Sequence, residues 1–174
     1  MGAYSNHIVV TNTPEKIYER LELCFNKELV TSLHRSTFLV AKENELVVGS
    51  VSAYPGSLIP YYNENMSKII DSYNEDEYKV ASIKQSLSLE KEANADEYYI
   101  DTLSVNPKFR GRGIAEKLIK SIVSKAKSEG FNKISLVVDP KKEKAIKYYK
   151  KLGFEFDGLR YLGGMNYHHM VKQI

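Results

Sequence analysis

Apolar positions along this chain change period several times, and each change marks an element. From Pro14 the spacing is helical: Ile17, Leu21, Cys24 and Phe25 fall on one side of a helix predicted to run to about Val30. Thr13 suits its N-cap, and Pro14 the first helical position, where a missing N–H is harmless. Alternation takes over at Thr37 to Ala41 and Glu45 to Tyr54. These read as a hairpin around Glu43-Asn44, stopped by Pro55-Gly56. Ile59, Tyr62, Met66, Ile69, Ile70 and Tyr73 then predict a helix within 57–73, and a second, polar helix is predicted over 75–92. β-Branched and aromatic residues predict a strand over 97–105. Ile114, Leu118, Ile119, Ile122, Val123 and Ala126 predict a helix over 111–129. A strand over 133–138, a helix over 141–152 and strands over 154–160 and 166–172 complete the pattern, which a short strand at His7–Thr11 begins.

The order β-α-ββ-(αα)-β-α-β-α-ββ predicts an α/β (α+β) chain: a central mixed sheet with helices on both faces. A length of 174 residues suits one domain with a proper core, spanning 1–174.

The strand-to-helix junction at Arg110-Gly-Arg-Gly-Ile-Ala115 is the most specific chemistry in the chain. Gly111 and Gly113 let backbone approach a ligand with no Cβ between. The first N–H groups of the helix that follows lack helical partners, and the helix dipole favours an anion in front of them. A pyrophosphate fits that description. A P-loop is excluded, since Ile114 and Ala115 stand where Lys and Ser/Thr are needed, and a dinucleotide fingerprint lacks its third small residue at Glu116.

Arg110-x-x-Gly113-x-Ala115 resembles the Arg/Gln-x-x-Gly-x-Gly/Ala loop of the GNAT superfamily of acyl-CoA-dependent N-acetyltransferases. Ala145-Ile-Lys-Tyr-Tyr-Lys-Lys-Leu-Gly-Phe154 is similar to the helix that follows in that family. The resemblance implies a splayed sheet in which strands 97–105 and 133–138 part to admit the acyl chain. It also implies acetyl-CoA as co-substrate with no metal, and an acceptor that is a small-molecule or peptide amine attacking directly in a ternary complex. Residues 56–95 stand as a helical insertion between the third and fourth predicted strands, where many relatives have a short turn. A non-catalytic acyl-CoA-binding or sensor domain of the same fold is the alternative. A homodimer is open to either.

On this resemblance Leu103, Val105, Arg110, Gly111, Arg112, Gly113, Ile114 and Ala115 would hold the cofactor. Tyr149 aligns with the family's general acid beside the sulfur, a phenol able to protonate a thiolate; packing on the helix is its blander role, and Tyr148 is expected under the loop. By period 2, Glu97, Tyr99, Asp101, Leu103 and Val105 share a face of their strand, which places Glu97 and Asp101 toward the acceptor as candidate bases. Asp101 is favoured, because an acid in mid-strand is unusual. Lys142 stands where relatives often carry an Asn for the pantetheine arm. His168 and His169 point to opposite faces of a strand, which argues against joint metal ligation.

Charge sharpens the picture. Residues 1–100 carry 9 Lys/Arg against 15 Asp/Glu, a net of −6, and residues 101–174 carry 16 against 7, a net of +9. The basic half suits CoA phosphates. The acidic half suits a cationic amine, with Asp71, Glu75, Asp76 and Glu77 in the insertion and with Tyr54 and Tyr99, among other tyrosines, as aromatic faces. The basic residues carry no nucleic-acid motif, and no apolar run is long enough for a membrane span, so neither partner is expected. A polar start without an apolar signal region, and a single cysteine, Cys24, predict a cytoplasmic protein with Cys24 buried as a small hydrophobe.

Overall fold

Asn44, in the left-handed region at φ 54, turns the chain between β1 (Phe38–Glu43) and β2 (Leu46–Pro55); Asn tolerates that conformation better than most residues. The structure, a computed structural model, describes residues 10, 11, 13–73 and 75–174. Beyond the hairpin come β3 (Tyr98–Val105), β4 (Lys133–Val138), β5 (Glu155–Leu162) and β6 (Met165–Gln173). They form one six-stranded sheet in the order β1-β2-β3-β4-β6-β5. Every neighbouring pair is antiparallel except β3 and β4.

That parallel pair is short. β3 meets β4 at Tyr98–Ile134, Tyr99–Ser135 and Ile100–Leu136 only. Beyond those residues β3 stays with β2 as far as Val105, and β4 stays with β6 as far as Val138. The sheet therefore forks after Ile100 and Leu136, leaving two strand edges that face each other without pairing.

Helices cover both faces. α1 (Pro14–Asn26), α2 (Ile59–Ile70) and α3 (Glu77–Leu89) lie on one face, and α4 (Ile114–Ser128) and α5 (Glu143–Lys151) on the other. On the α4 face Leu118, Ile119 and Ile122 pack against Val51, Ile100 and Leu136. On the opposite face Ile59 and Tyr62 of α2 meet Tyr54 and Tyr99. Met66, Ile69 and Ile70 tie α2 to Cys24 of α1 and to Ile83 and Leu87 of α3. Cys24 is fully buried, with its sulfur 3.7 Å from the Tyr73 hydroxyl.

The structure departs from the sequence reading in several places. α1 stops at Asn26 rather than near Val30, because Lys27 turns extended. α3 is less polar than its composition suggests, since Ile83 and Leu87 are buried. Of the strand expected at His7–Thr11, only Val10 and Thr11 lie within the described residues, where Val10 sits in a turn. Residues 56–95 do hold two helices, α2 and α3, as the spacing predicts.

The single-face reading of β3 fails for a local reason. Ser52 pairs with Thr102, but the next residue of β2, Ala53, pairs with Ile100. Asp101 is thus an extra residue, a β-bulge, and a bulge reverses the alternation beyond it. Tyr99 faces α2, whereas Leu103 packs with Ile100 on the α4 side. Val105, opposite Gly49, lies on the α4 side too: a Cβ at Gly49 would meet Ile114 at 3.0 Å.

Candidate active site

The segment after β3 caps at Asn106, whose side chain accepts from the Lys108 N–H, and makes one 3₁₀ turn through Pro107–Phe109. Gly111 and Gly113 then take φ of 77° and 73°, the left-handed region that disfavours any Cβ. Gly113 is the N-cap of α4. The first backbone hydrogen bond of α4 is donated by Lys117 to the Gly113 carbonyl at 3.0 Å, so the N–H groups of Ile114, Ala115 and Glu116 have no helical acceptor. They open on a cavity of about 390 Å³ lined by Val105, Arg110, Gly111, Gly113 and Ala115, with Tyr148 on its far side. A Cβ at Gly111 or Gly113 would meet nothing within 4 Å, so the space before both is open. The residues present therefore suit a phosphate group: free N–H donors, a helix N-terminus and room. Arg112 turns away, pairing with Glu43 at 3.4 Å across to the β1–β2 hairpin.

Asp101 occupies the fork. The bulge sets it on the α2 side, half-buried, where Tyr54 donates to its Oδ2 at 3.0 Å. Burial pushes the Asp101 carboxyl up to about 6, against the lowering effect of that hydrogen bond. Burial and the adjacent Asp101 charge in turn hold the Tyr54 phenol well above its ordinary value. Asp101, Tyr54, Tyr62, Glu92, Leu87 and Ser32 line a small inner cavity of about 20 Å³. Tyr62 meets Tyr54 edge-on, with ring centroids 5.0 Å apart. Tyr99 stacks edge-on against Tyr54 from behind, at 5.8 Å.

Glu97 has different surroundings. It is fully buried at the closed end of the fork. It accepts from the Asn94 backbone N–H at 2.9 Å, from Asn94 Nδ2 at 2.6 Å, and lies 3.0 Å from His169 Nε2. The other His169 nitrogen lies 3.2 Å from Asp157. Burial alone would raise the Glu97 carboxyl, yet the hydrogen bonds from His169 and Asn94 outweigh it and hold the group down at about 2. Among the described residues Glu97, Asp157 and His169 are the one group whose ligand atoms fall within 4.8 Å of one another as a metal site requires. Each imidazole nitrogen already faces a separate carboxylate, which is the arrangement of a hydrogen-bonded triad. His168 contacts Phe156, edge to face at 5.0 Å.

The sequence profile of the acetyltransferase (GNAT) family matches residues 8–154. This chain belongs to the GNAT family. An uncharacterised N-acetyltransferase of Methanocaldococcus jannaschii is 43% identical over 56 residues, 32% of this chain and 25% of that protein. The thialysine N-epsilon-acetyltransferase of Sus scrofa is 36% identical over 55 residues, 32% of each chain. The matched stretch thus spans a third or less of these relatives' own length. Over the whole fold, the crystal structure of an N-acetyltransferase from Staphylococcus aureus Mu50 superimposes with a TM-score of 0.75 at 28% identity, covering 91% of this chain and 81% of that one.

Set on the GNAT fold, the sequence-derived residues fall into three groups. Val105, Arg110, Gly111, Gly113, Ile114 and Ala115 surround the loop cavity; Leu103 and Arg112 do not line it. Asp101 and Tyr54 meet at the inner cavity, while Tyr99 supports Tyr54 without reaching that space. Tyr149, on α5, is half-buried against Phe154 at 5.7 Å, and burial raises its phenol. The acids expected to draw a cation are occupied elsewhere. Asp71 pairs with Lys84, Glu75 with Arg20, and Asp76 caps α3 by accepting from Lys79 N–H. Glu92, which sequence reasoning missed, lines the inner cavity beside Asp101. It lies on the connection between α3 and β3, because the helix predicted over 75–92 ends at Leu89, where Glu90 turns extended.

Proposed function

We propose that this GNAT protein is an N-acetyltransferase that moves the acetyl group of acetyl-CoA to a primary amine by direct attack within a ternary complex. The observation that carries this reading is the position of Asp101. It stands at once at the mouth of the forked sheet and on the wall of the inner cavity, with its carboxyl tuned close to neutral. A general base works best when its pKa lies near the operating pH.

The chain's residues divide the work. Amide groups at the start of α4 hold the CoA phosphates. From Val105 back to Asp101 the open edge of β3 runs about 13 Å at the usual strand rise, a track along which the pantetheine arm reaches the fork. Asp101 takes a proton from the acceptor ammonium and frees its lone pair. The nitrogen attacks the thioester carbonyl, a C–N bond forms, and the C–S bond breaks. Tyr149 gives its proton to the departing thiolate, and the second proton that the nitrogen sheds as the amide forms restores the phenol; a phenol kept above its ordinary value by burial is protonated at the outset. Glu97 is the less suitable base, since its lone pairs are committed to Asn94 and His169.

The test is release of thiol from acetyl-CoA over a panel of polyamines, aminoglycosides, amino acids and peptide N-termini. Acetylation of at least one amine is expected. Asp101→Asn should lower kcat/KM for that amine by roughly 10²–10⁴-fold, the usual range for a lost general base, with acetyl-CoA affinity unchanged by calorimetry. Acetyl-CoA binding with no thiol release to any amine would replace this reading with the acyl-CoA sensor.

A further inference from the structure

The sheet ends in two edge strands, β1 and β5, and they are not alike. β1, six residues long, carries Lys42 and Glu43 and exposes one large apolar side chain, Val40. β5, eight residues long, has no Lys or Pro and exposes three: Phe156, Leu159 and Tyr161 are 53%, 53% and 66% accessible. Lysine, proline and shortness are common guards of a strand edge, whose free N–H and C=O groups otherwise invite another strand. β5 lacks all three.

Register with β6 decides which way each β5 side chain points. Phe156, Leu159 and Tyr161 oppose Met170, His168 and Asn166, alternate residues of β6 that begin with a member of the core under α4. Glu155, Arg160 and Leu162 oppose Val171, Tyr167 and Met165, and so face the other way. Between Phe156 and Leu159 two residues, Asp157 and Gly158, stand against the single His169, a bulge. Asp157 takes the α2 side, where it meets His169. Two charged groups on that side are only partly satisfied. Arg160 meets Asn94 Oδ1 at 3.4 Å and the Leu159 carbonyl at 3.5 Å, its Nε has no acceptor, and it pairs with no carboxylate among the described residues. Asp157 contacts His169 with one oxygen, and its side chain is 56% exposed.

We propose that β5 is the interface between two copies of this chain, paired antiparallel and edge to edge about a two-fold axis between Gly158 and Leu159. In this register Asp157 faces the partner's Arg160, and Phe156 faces the partner's Tyr161. Gly158 faces the partner's Leu159, and a Cβ at Gly158 would meet nothing within 4 Å, so there is room. Each opposed pair shares one face of the joined sheet. In an unbroken strand, residues three or five apart point to opposite faces, so the bulge creates the match. An axis placed on Arg160 would instead set two guanidinium groups against each other. The second copy supplies an anion to Arg160 and an aromatic cover to Phe156. The proposal stands apart from the acetyl-transfer reading and needs no substrate for its test.

Light scattering of the full chain should give twice the mass of one chain. Leu159→Arg places like charges beside the axis and should return the mass of a single chain. Leu159 is exposed, so that variant should keep the wild-type fold by circular dichroism. The register is tested by Phe156→Cys combined with Tyr161→Cys. Within one chain these positions lie about 15 Å apart at the usual strand rise, beyond the reach of a disulfide. Across the axis they oppose each other at roughly 5 Å. Oxidation should therefore yield a covalent dimer on a non-reducing gel, and Cys24, being buried, stays out of it. A wild-type monomer at every concentration overturns the proposal and leaves the edge to a strand of another protein. The wild-type measurement needs no variant, so misfolding of either variant leaves it intact. A dimer that survives in folded Leu159→Arg, or a double-cysteine protein that fails to cross-link, overturns the assignment of the interface to β5 in this register.

Discussion

Asp101 illustrates how a single side chain carries both a function and its thermodynamic consequence. An aspartate in an unfolded chain ionises near roughly 3.9, while in the fold burial lifts it to about 6. Between those values the folded protein binds the proton more tightly than the unfolded chain. Stability from this group is therefore full at low pH and is lost as pH rises through about 6. Catalysis runs the other way, because only the ionised form accepts a proton. The rate profile of the wild-type protein should rise through pH 6 and level above it. Asp101→Asn should abolish that limb and raise Tm at pH 8, which thermal melts would detect. Tyr149 makes the complementary case at the leaving group. Tyr149→Phe should lower kcat by roughly 10–10⁴-fold while calorimetry finds acetyl-CoA affinity intact; a wild-type kcat would leave Tyr149 with packing alone, against Phe154.

At the scale of elements, the α4 N-terminus depends on backbone that only glycine adopts freely. Gly113→Val would force a β-branched residue to φ 73° and project its side chain into the open space before the helix. Acetyl-CoA affinity should fall at least tenfold by calorimetry, a change of about 1.4 kcal/mol. Elements of this kind were legible from the sequence because their signals are local. The periodic face of α4, the Gly-x-Gly turn and the hairpin around Asn44 each declare themselves within a few residues. The bulge at Asp101 was not legible, since it exists only relative to the pairing of Ser52 and Ala53, some fifty positions away. The same limit hid Glu92, which reaches the inner cavity from the connection where a longer helix was predicted, and it made Asp71, Glu75 and Asp76 look available when Lys84, Arg20 and the start of α3 hold them.

Across the whole molecule, the triad of Glu97, His169 and Asp157 joins residues up to 72 positions apart. It ties the start of β3 to β6 and, through Asn94, fixes the connection that carries Glu92. The Glu97 carboxyl lies below its ordinary value, so its contribution is present above about pH 4.5 and is lost as pH falls toward 2. Glu97→Gln should destabilise the protein at pH 7 by roughly 3–5 kcal/mol, as removing one member of a buried charged group does, and should flatten the loss of stability on acidification. Urea melts at pH 7 and pH 3 would show both. The fork gives the molecule a mechanical character. Three residue pairs and this buried clasp join two three-stranded plates at one end, while the other end has no strand pairing between them. On one face α4 spans the two plates, with Leu118, Ile119 and Ile122 packed on Val51 and Ile100 of one and on Leu136 of the other. A molecule seated in the fork would touch both plates at once, so its binding should slow backbone hydrogen exchange on both sides of the fork together.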